Sequence, residues 1–143
     1  MLKAKVAAHL ILVNGRNEIL MLRRFNTGFK DGEYGLVAGH VEDGESLKSA
    51  MIREAREEAS IVLSPDEMEV VGVIPSLFDE YVYFFLSVDG WCGDAKNMEP
   101  DKCDDMRWFH LGDLPENTVS YIRQAIGNYV DGKWFSEIKA ADI

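Results

Sequence analysis

Gly39 to Ile61, GHVEDGESLKSAMIREAREEASI, crowds acidic side chains into a segment with helical spacing, at positions where an ordinary amphipathic helix carries apolar ones. With a helix starting near Ser46 and turning by roughly 100° per residue, Leu47, Ala50, Met51, Ala55, Ile61 and Val62 share one broad apolar arc. Glu54 and Glu58 fall inside that arc and Glu57 sits at its edge. A carboxylate turned toward a core costs on the order of several kcal/mol unless a cation meets it, and glutamates at i, i+3 and i+4 repel one another. A divalent cation resolves both problems. The blander reading, a solvated helix whose glutamates pair with its own Arg53 and Arg56, uses the same residues.

The whole segment decides between them. Gly39, Glu45, Arg53, Glu54, Ala55, Glu57, Glu58 and Ile61 stand in register with G-x5-E-x7-R-E-U-x-E-E-x-G-U, so the chain resembles the Nudix family, with MutT-type enzymes the nearest group. Two positions depart from the pattern. Ser60 stands where the family usually has its second glycine, and Ala38 where a proline often precedes the first glycines. Neither change removes a ligand. A glycine at a helix end commonly takes a left-handed conformation, so Ser60 is expected to strain or reshape the helix exit rather than abolish chemistry.

Working outward, Lys5–Val13 and Glu18–Arg23 read as strands joined by the turn Asn14-Gly15-Arg16-Asn17, a hairpin signal. Tyr34–Val37 reads as a short extended piece. Met68–Ile74 and Tyr81–Val88 are β-branched or aromatic runs bounded by Pro65, Pro75 and Asp89-Gly90. Met106–His110 suggests another strand, and Ile122, Ala125, Ile126 and Tyr129 give Val119–Tyr129 helical spacing. The course of the tail from Asp131 is left open, with Trp134 and Phe135 able to close the core or to cover a partner subunit. Strands before, between and after two helices imply an α/β fold, a mixed sheet with a helix on each face, which matches the α/β/α sandwich that the resemblance implies over Lys5–Tyr129.

At 143 residues and 47% hydrophobic content, the chain is expected to form a single domain with a real core. A net charge of -10 argues against broad binding to nucleic-acid polymers. It does not exclude an anionic substrate, because carboxylates that hold Mg²⁺ or Mn²⁺ bridge through the cation to phosphate. The N-terminal run MLKAKVAAHLILVNG alternates like a strand and is too short to span a bilayer, so a cytoplasmic location is expected. Cys92 and Cys103 have neither metal spacing nor the density of a disulfide scaffold and read as free thiols. His9, His40 and His110 share no zinc-like spacing.

The resemblance assigns roles residue by residue. It implies Glu54, Glu57 and Glu58 as ligands of Mg²⁺ or Mn²⁺, with Glu54 or Glu57 orienting or deprotonating water, and the Ala38 carbonyl as a further ligand. Glu45 and Arg53 match positions that brace the loop and helix, Glu45 also being placed to ligate through water. Glu99 is a candidate additional acidic ligand or base, in competition with Asp101, Asp104 and Asp105 and with a plain solvated loop. Gly39 and Gly44 let the loop turn sharply and let backbone donors approach phosphate, and His40 lies in that phosphate-facing loop. Glu42 and Asp43 read as ordinary turn and early-helix acidity. Arg23 and Arg24 read equally as a phosphate-binding pair and as surface strand-end charges. Asn117 resembles a base-recognising asparagine and equally suits the N-cap of the last helix. Phe25, Tyr34, Phe85 and Trp108 read as core aromatics.

The function implied is metal-dependent hydrolysis of a nucleoside diphosphate-linked substrate, above all a nucleoside or deoxynucleoside triphosphate cleaved to monophosphate and pyrophosphate. ADP-ribose and dinucleoside polyphosphates are alternatives, as are a nucleotide-sensing module without catalysis and an acidic interaction domain without a ligand. A homodimer is left open.

Overall fold

In a computed structural model, residues 1–138 are described. The strands are β1 (Lys5–Ile11), β2 (Glu18–Arg24), β3 (Tyr34–Gly35), β4 (Ala38–His40), β5 (Met68–Ser76), β6 (Tyr81–Val88) and β7 (Cys103–His110); the helices are α1 (Leu47–Ala59) and α2 (Ser120–Val130). They form two sheets. One is four-stranded and mixed, in the order β4-β1-β6-β5, with β1 parallel to β6 and the other pairs antiparallel. The other is three-stranded and antiparallel, β3-β2-β7.

The α/β sandwich with a helix on each face is therefore present, but its strands divide between two sheets. The Asn14–Asn17 turn forms as the sequence suggests, with Asn14 N–H bonded to Glu18 O at 2.9 Å. Beyond the Val13–Ile19 bridge, however, β1 and β2 diverge and take different partners. Both strands are buried on both faces, so neither the turn nor the alternation specifies which neighbour each must take. Ala7 and Ile11 of β1 and Ile19 and Met21 of β2 join α2 in one core. Ala8 and Leu10 of β1 and Leu20 and Leu22 of β2 join α1 in the other.

Two strands outrun their sequence signals. β5 continues through Pro75, which an edge strand tolerates because the missing N–H faces no ladder partner. β7 begins at Cys103, three residues before the expected start, because pairing with β2 recruits the polar Asp104 and Asp105. The tail runs along β5: Val73 N–H donates to Trp134 O at 2.9 Å, Phe135 is half-buried, Ile138 is buried and the Trp134 side chain lies exposed. Tyr34 and Phe85 are core residues and Trp108 packs at its margin, whereas Phe25 is 46% exposed on a loop. Cys92 and Cys103 are free thiols. Among the described residues no helix is long and apolar enough to cross a membrane.

Helix α1 starts where its sequence dictates. Ser46 is the N-cap, its hydroxyl accepting from Ser49 N–H at 3.1 Å. The exit is set by Ser60, which takes the left-handed conformation (φ 58°, ψ 29°) and returns its N–H to the carbonyls of Ala55 and Arg56. This break in the helical period buries Ile61 but turns Val62 out to 46% exposure, so Val62 leaves the apolar arc. A non-glycine residue in this conformation costs about 1–2 kcal/mol, part of which the greater unfolded-state entropy of glycine would offset. Ser60→Gly is accordingly expected to stabilise the protein by about 1 kcal/mol, raising the midpoint of thermal unfolding by about 3 °C. A lowered midpoint would contradict the assigned exit geometry.

Candidate functional site

Strand β4 and helix α1 meet at a glycine. Gly39 pairs with Ala8, and a Cβ built on it would overlap the carboxylate of Glu54. Its φ is not positive, so Gly39 is needed for close approach rather than for turning. It belongs to a strand, not to the loop in which the sequence reading placed it. Gly44 does supply the sharp turn, with φ +84° ahead of the N-cap. Glu42 and Asp43 lie in that turn, outside the first helical turn.

Glu54, Glu57 and Glu58 are graded in exposure as the helical arc predicts. The Glu54 side chain is 15% exposed and that of Glu57 52%, while Glu58 reaches into the interior. Burial, and then the adjacent Glu54 and Glu99 carboxylates, push Glu58 well above its ordinary 4.5, while Ala38 N–H, donating to Glu58 Oε2 at 3.2 Å, pulls the other way. Glu99 is likewise pushed up, by burial against the pull of Lys102 and then by Glu54, Asp101 and Glu57. Four carboxylates thus face a shared space in which at least two resist ionising.

Arg53 stands behind this wall. Its Nε and Nη2 grip both oxygens of Glu45 at 2.8 and 2.9 Å, Nη1 donates to Glu54 at 2.7 Å and reaches Glu57 at 3.4 Å, and Nη2 donates to His40 O at 3.1 Å. Loop, helix and β4 are tied by one guanidinium. Neither Arg53 nor Glu45 lines the cleft in front. Among the described residues no three acidic, histidine or cysteine side chains form a ready-made cage for a metal ion; Arg53 donates to one oxygen of Glu54 and Ala38 N–H to one oxygen of Glu58.

The cleft has a volume of about 920 Å³ and three regions. Glu54, Glu57, Glu58 and Glu99, with Ala38 and Gly39, line the acidic end. Arg23, Arg24 and Lys102 supply a basic wall. Arg23 Nε is fixed by Asp104 at 2.7 Å, and Arg24 Nε by Phe29 O at 2.6 Å. The remaining end is aromatic. His40 stacks on Tyr81 and bonds its hydroxyl at 2.9 Å, Tyr81 stacks on Tyr83, and Tyr83 lies on Tyr121 with ring centres 4.1 Å apart. His9 sits fully inside beside Tyr121, its Nε2 2.8 Å from the tyrosine oxygen, and burial pushes its pKa down to about 3, so it is neutral.

The structure therefore brings Arg23, Arg24, Ala38, Gly39, His40, Glu54, Glu57, Glu58 and Glu99 to one cleft. Asn117 does not line it. Its amide donates to Gly32 O at 2.8 Å, and the N-cap of α2 is Val119, so the capping alternative is overturned. The reason is that Asn117 O accepts from Tyr34 N–H at 2.8 Å, holding the chain extended before the helix begins. Lys102, Asp79, Tyr81, Tyr83 and Tyr121 were not singled out from the sequence. The alternation of Tyr81, Tyr83 and Phe85 placed those rings on one strand face, but nothing local placed Tyr121 opposite them.

The Arg53 guanidinium, followed by the backbone N–H of Glu42, holds Glu45 down at about 2 from its ordinary 4.5. A depressed carboxylate contributes stability that is complete above its unfolded pKa and is lost as pH falls through its folded one. The destabilisation caused by Glu45→Gln, measured by denaturant unfolding, is therefore expected to be greatest above pH 4.5 and to shrink as the pH approaches 2. A mutational loss that is independent of pH across that window would contradict the pairing.

Comparison with known proteins agrees with this geometry. Residues 3–128 match the NUDIX domain family. A NAD-capped RNA hydrolase NudC of Stutzerimonas stutzeri is 30% identical over 121 residues, 85% of this chain and 41% of that protein. Its counterpart in Pseudomonas putida (KT2440) is 31% identical over 133 residues, 92% of this chain and 46% of that protein. The chain thus spans less than half the length of these curated relatives. The crystal structure of a MutT NUDIX hydrolase from Burkholderia pseudomallei superposes with a TM-score of 0.78 at 25% identity, covering 87% of this chain and 97% of that one. The MutT protein of Methanosarcina mazei shares the fold, with a TM-score of 0.78 at 22% identity over 90% of this chain and 94% of that one. The chain therefore belongs to the NUDIX domain family, with the acidic helix α1 at the centre of its site.

Proposed function

We propose that this domain is a Mg²⁺- or Mn²⁺-dependent pyrophosphohydrolase acting on a nucleoside diphosphate-linked substrate, foremost a nucleoside or deoxynucleoside triphosphate cleaved to monophosphate and pyrophosphate. The observation that carries this reading is the half-buried Glu58, its carboxyl pushed up by desolvation and then by Glu54 and Glu99 beside it, facing a basic wall across one cleft. Carboxylates forced together at a cost to folding have a use when a cation arrives, and an all-oxygen donor set suits a hard ion such as Mg²⁺ or Mn²⁺. Glu54, Glu57 and Glu58 would hold it, with the Ala38 carbonyl and Glu99 as further donors. When bound, the ion neutralises phosphate charge and lowers the pKa of water.

The chain's own residues supply the rest. Glu54 or Glu57 accepts a proton from the attacking water; the water oxygen bonds to phosphorus and the bridging oxygen leaves with the other phosphoryl group. Arg23, Arg24 and Lys102 face the phosphate oxygens and orient them. Glu45 and Arg53 act behind the wall by holding Glu54 and β4 in place.

A second reading is favoured by one observation, the aromatic end of the cleft. The relatives named for NAD-capped RNA point to a dinucleotide end as the occupant, with one half of the dinucleotide lying along the tyrosines. The domain would then act on a polymer only through its terminal diphosphate. A nucleotide sensor without catalysis has no need of the retained acidic set.

Two experiments test these roles. Turnover across a panel of nucleoside triphosphates, ADP-ribose, dinucleoside polyphosphates and NAD should require Mg²⁺ or Mn²⁺ and fall by about a hundredfold or more in Glu57→Gln and Glu58→Gln. Because a raised carboxyl pKa costs stability once the pH exceeds its ordinary value, Glu58→Gln should also melt higher than wild type without metal at pH 7, and lose the metal-induced rise that wild type shows. Metal-independent turnover, or undiminished turnover in both variants, would overturn the mechanism. Gly39→Ala should displace the Glu54 carboxylate, leaving the melting temperature within about 3 °C while lowering turnover by about tenfold to a hundredfold; unchanged turnover would contradict the close approach assigned to Gly39.

A further inference from the structure

Neighbouring residues of a strand point to opposite faces, yet Arg23 and Arg24 line the same cleft. A β-bulge makes this possible: Arg23 pairs with Asp105 and Arg24 with Cys103, so Asp104 has no partner across the ladder. The two arginines are then anchored differently. Arg23 Nε meets the Asp104 carboxylate at 2.7 Å, so its charge is answered from the neighbouring strand. Arg24 is held by neutral oxygens, Nε donating to Phe29 O at 2.6 Å and Nη2 to the Thr27 hydroxyl at 3.2 Å. Its main chain closes the neck of the loop that carries those oxygens, since Arg24 N–H donates to Glu33 O at 2.9 Å and Arg24 O accepts from Gly32 N–H at 2.7 Å. Within the loop Asp31 accepts from the N–H groups of Thr27, at 3.1 Å, and Gly28, at 2.9 Å, and from the Thr27 hydroxyl. Asn26 and Lys30 take left-handed conformations, φ 55° and 52°, which non-glycine residues adopt at a cost where surrounding contacts enforce them. Thr27 and Asp31 are exposed, and exposed polar contacts of this kind contribute little to folding. What they fix is Arg24.

We propose that Asp31 is a positioning residue for phosphate recognition: through Thr27 it aims the Arg24 guanidinium, which makes Arg24, and not Arg23, the principal phosphate-orienting cation of the pair. Asp31 itself does not line the cleft, whereas Arg24 and Thr27 do. Its carboxylate accepts the Thr27 hydroxyl hydrogen, which turns the hydroxyl oxygen toward Arg24 Nη2 as an acceptor. Among the described residues the guanidinium makes no other hydrogen bond than those to Thr27 and Phe29. The edge formed by Nη1 and the second Nη2 hydrogen is therefore left for two oxygens of a phosphate, the bidentate geometry that guanidinium suits. The Phe29 ring centre lies 5.4 Å from the guanidinium carbon and restricts where the plane can swing. An arginine that is already held loses less rotamer freedom when a ligand binds, a difference of about tenfold in affinity.

The ligand rests on the hydrolase reading, but the test does not require turnover. The probe is methylenediphosphonate, an uncleavable form of the diphosphate that every substrate considered above carries, and Kd is measured by calorimetry with Mg²⁺ present. Asp31→Ala is expected to weaken the probe about tenfold, to keep the thermal midpoint within about 3 °C of wild type, and to abolish the slowly exchanging Arg24 Nε–H signal in NMR spectra. Thr27→Val should do the same, and Thr27→Ser, which restores the hydroxyl, should recover most of the affinity. Arg24→Met should weaken the probe more than Arg23→Met does, by about threefold or more. In the Arg24→Met background Asp31→Ala should change Kd by less than about twofold, because the residue it acts through is gone. If Asp31→Ala fails to fold, Thr27→Val in the Arg24→Met background serves in its place. The proposal is overturned by losses that multiply in the double variant, by an unchanged Kd in both Asp31→Ala and Thr27→Val, by equal losses in Thr27→Val and Thr27→Ser, by a larger loss in Arg23→Met than in Arg24→Met, or by a wild type that does not bind the probe. A wild type that shows these ratios yet cleaves no diphosphate would strike the hydrolase reading and leave the role of Asp31 intact; turnover with unchanged ratios would do the reverse.

Discussion

The contact on which the site depends is the reach of one guanidinium. Arg53 holds Glu45, Glu54 and the His40 carbonyl simultaneously, so the loop, α1 and β4 share a single fixed point. Around it the chain does something unfavourable: it points glutamates inward and crowds them until Glu58 and Glu99 resist ionisation. Folding tolerates this because apolar contacts on the same helix face, from Met51, Ala55 and Ala59, bury fully. The site is a locally frustrated patch held by a well-packed frame, which is where function commonly resides.

Gly39 and Ser60 show two ways in which backbone chemistry shapes that patch. Gly39 removes a side chain so that β4 can lie against Glu54. Ser60 accepts a left-handed conformation that a glycine takes more easily, and still delivers the turn that buries Ile61. The departure from the family pattern at Ser60 therefore changes the energy of the helix exit and not its geometry.

Much of this was legible in the sequence because it is local. The start of α1 at Ser46, the inward placement of Glu54 and Glu58 with Glu57 at the edge and the span of Tyr81–Val88 all follow from spacing and capping within a few residues. What was not legible depends on long-range pairing. The Asn14–Asn17 turn made β1 and β2 look like a simple hairpin, whereas strands buried on both faces are free to be shared between sheets, as these are. Cys103–Asp105 carry no strand signal of their own and extend only because β2 pairs with them. Asn117 is a plausible cap by type, yet Tyr34 claims its carbonyl and Gly32 its amide. The aromatic end of the cleft joins β1, β4, β6 and α2, and only their assembly turns separate core-like rings into a wall.

The central claim is that the oxygens of Glu54, Glu57 and Glu58 converge on a divalent cation. Anomalous diffraction from crystals soaked in Mn²⁺ tests it most directly. The account predicts a manganese peak bonded to oxygens of these three glutamates, with Arg53 still bound to Glu45 behind them. Clear density for the three side chains in saturating Mn²⁺, with no peak between them, would contradict it.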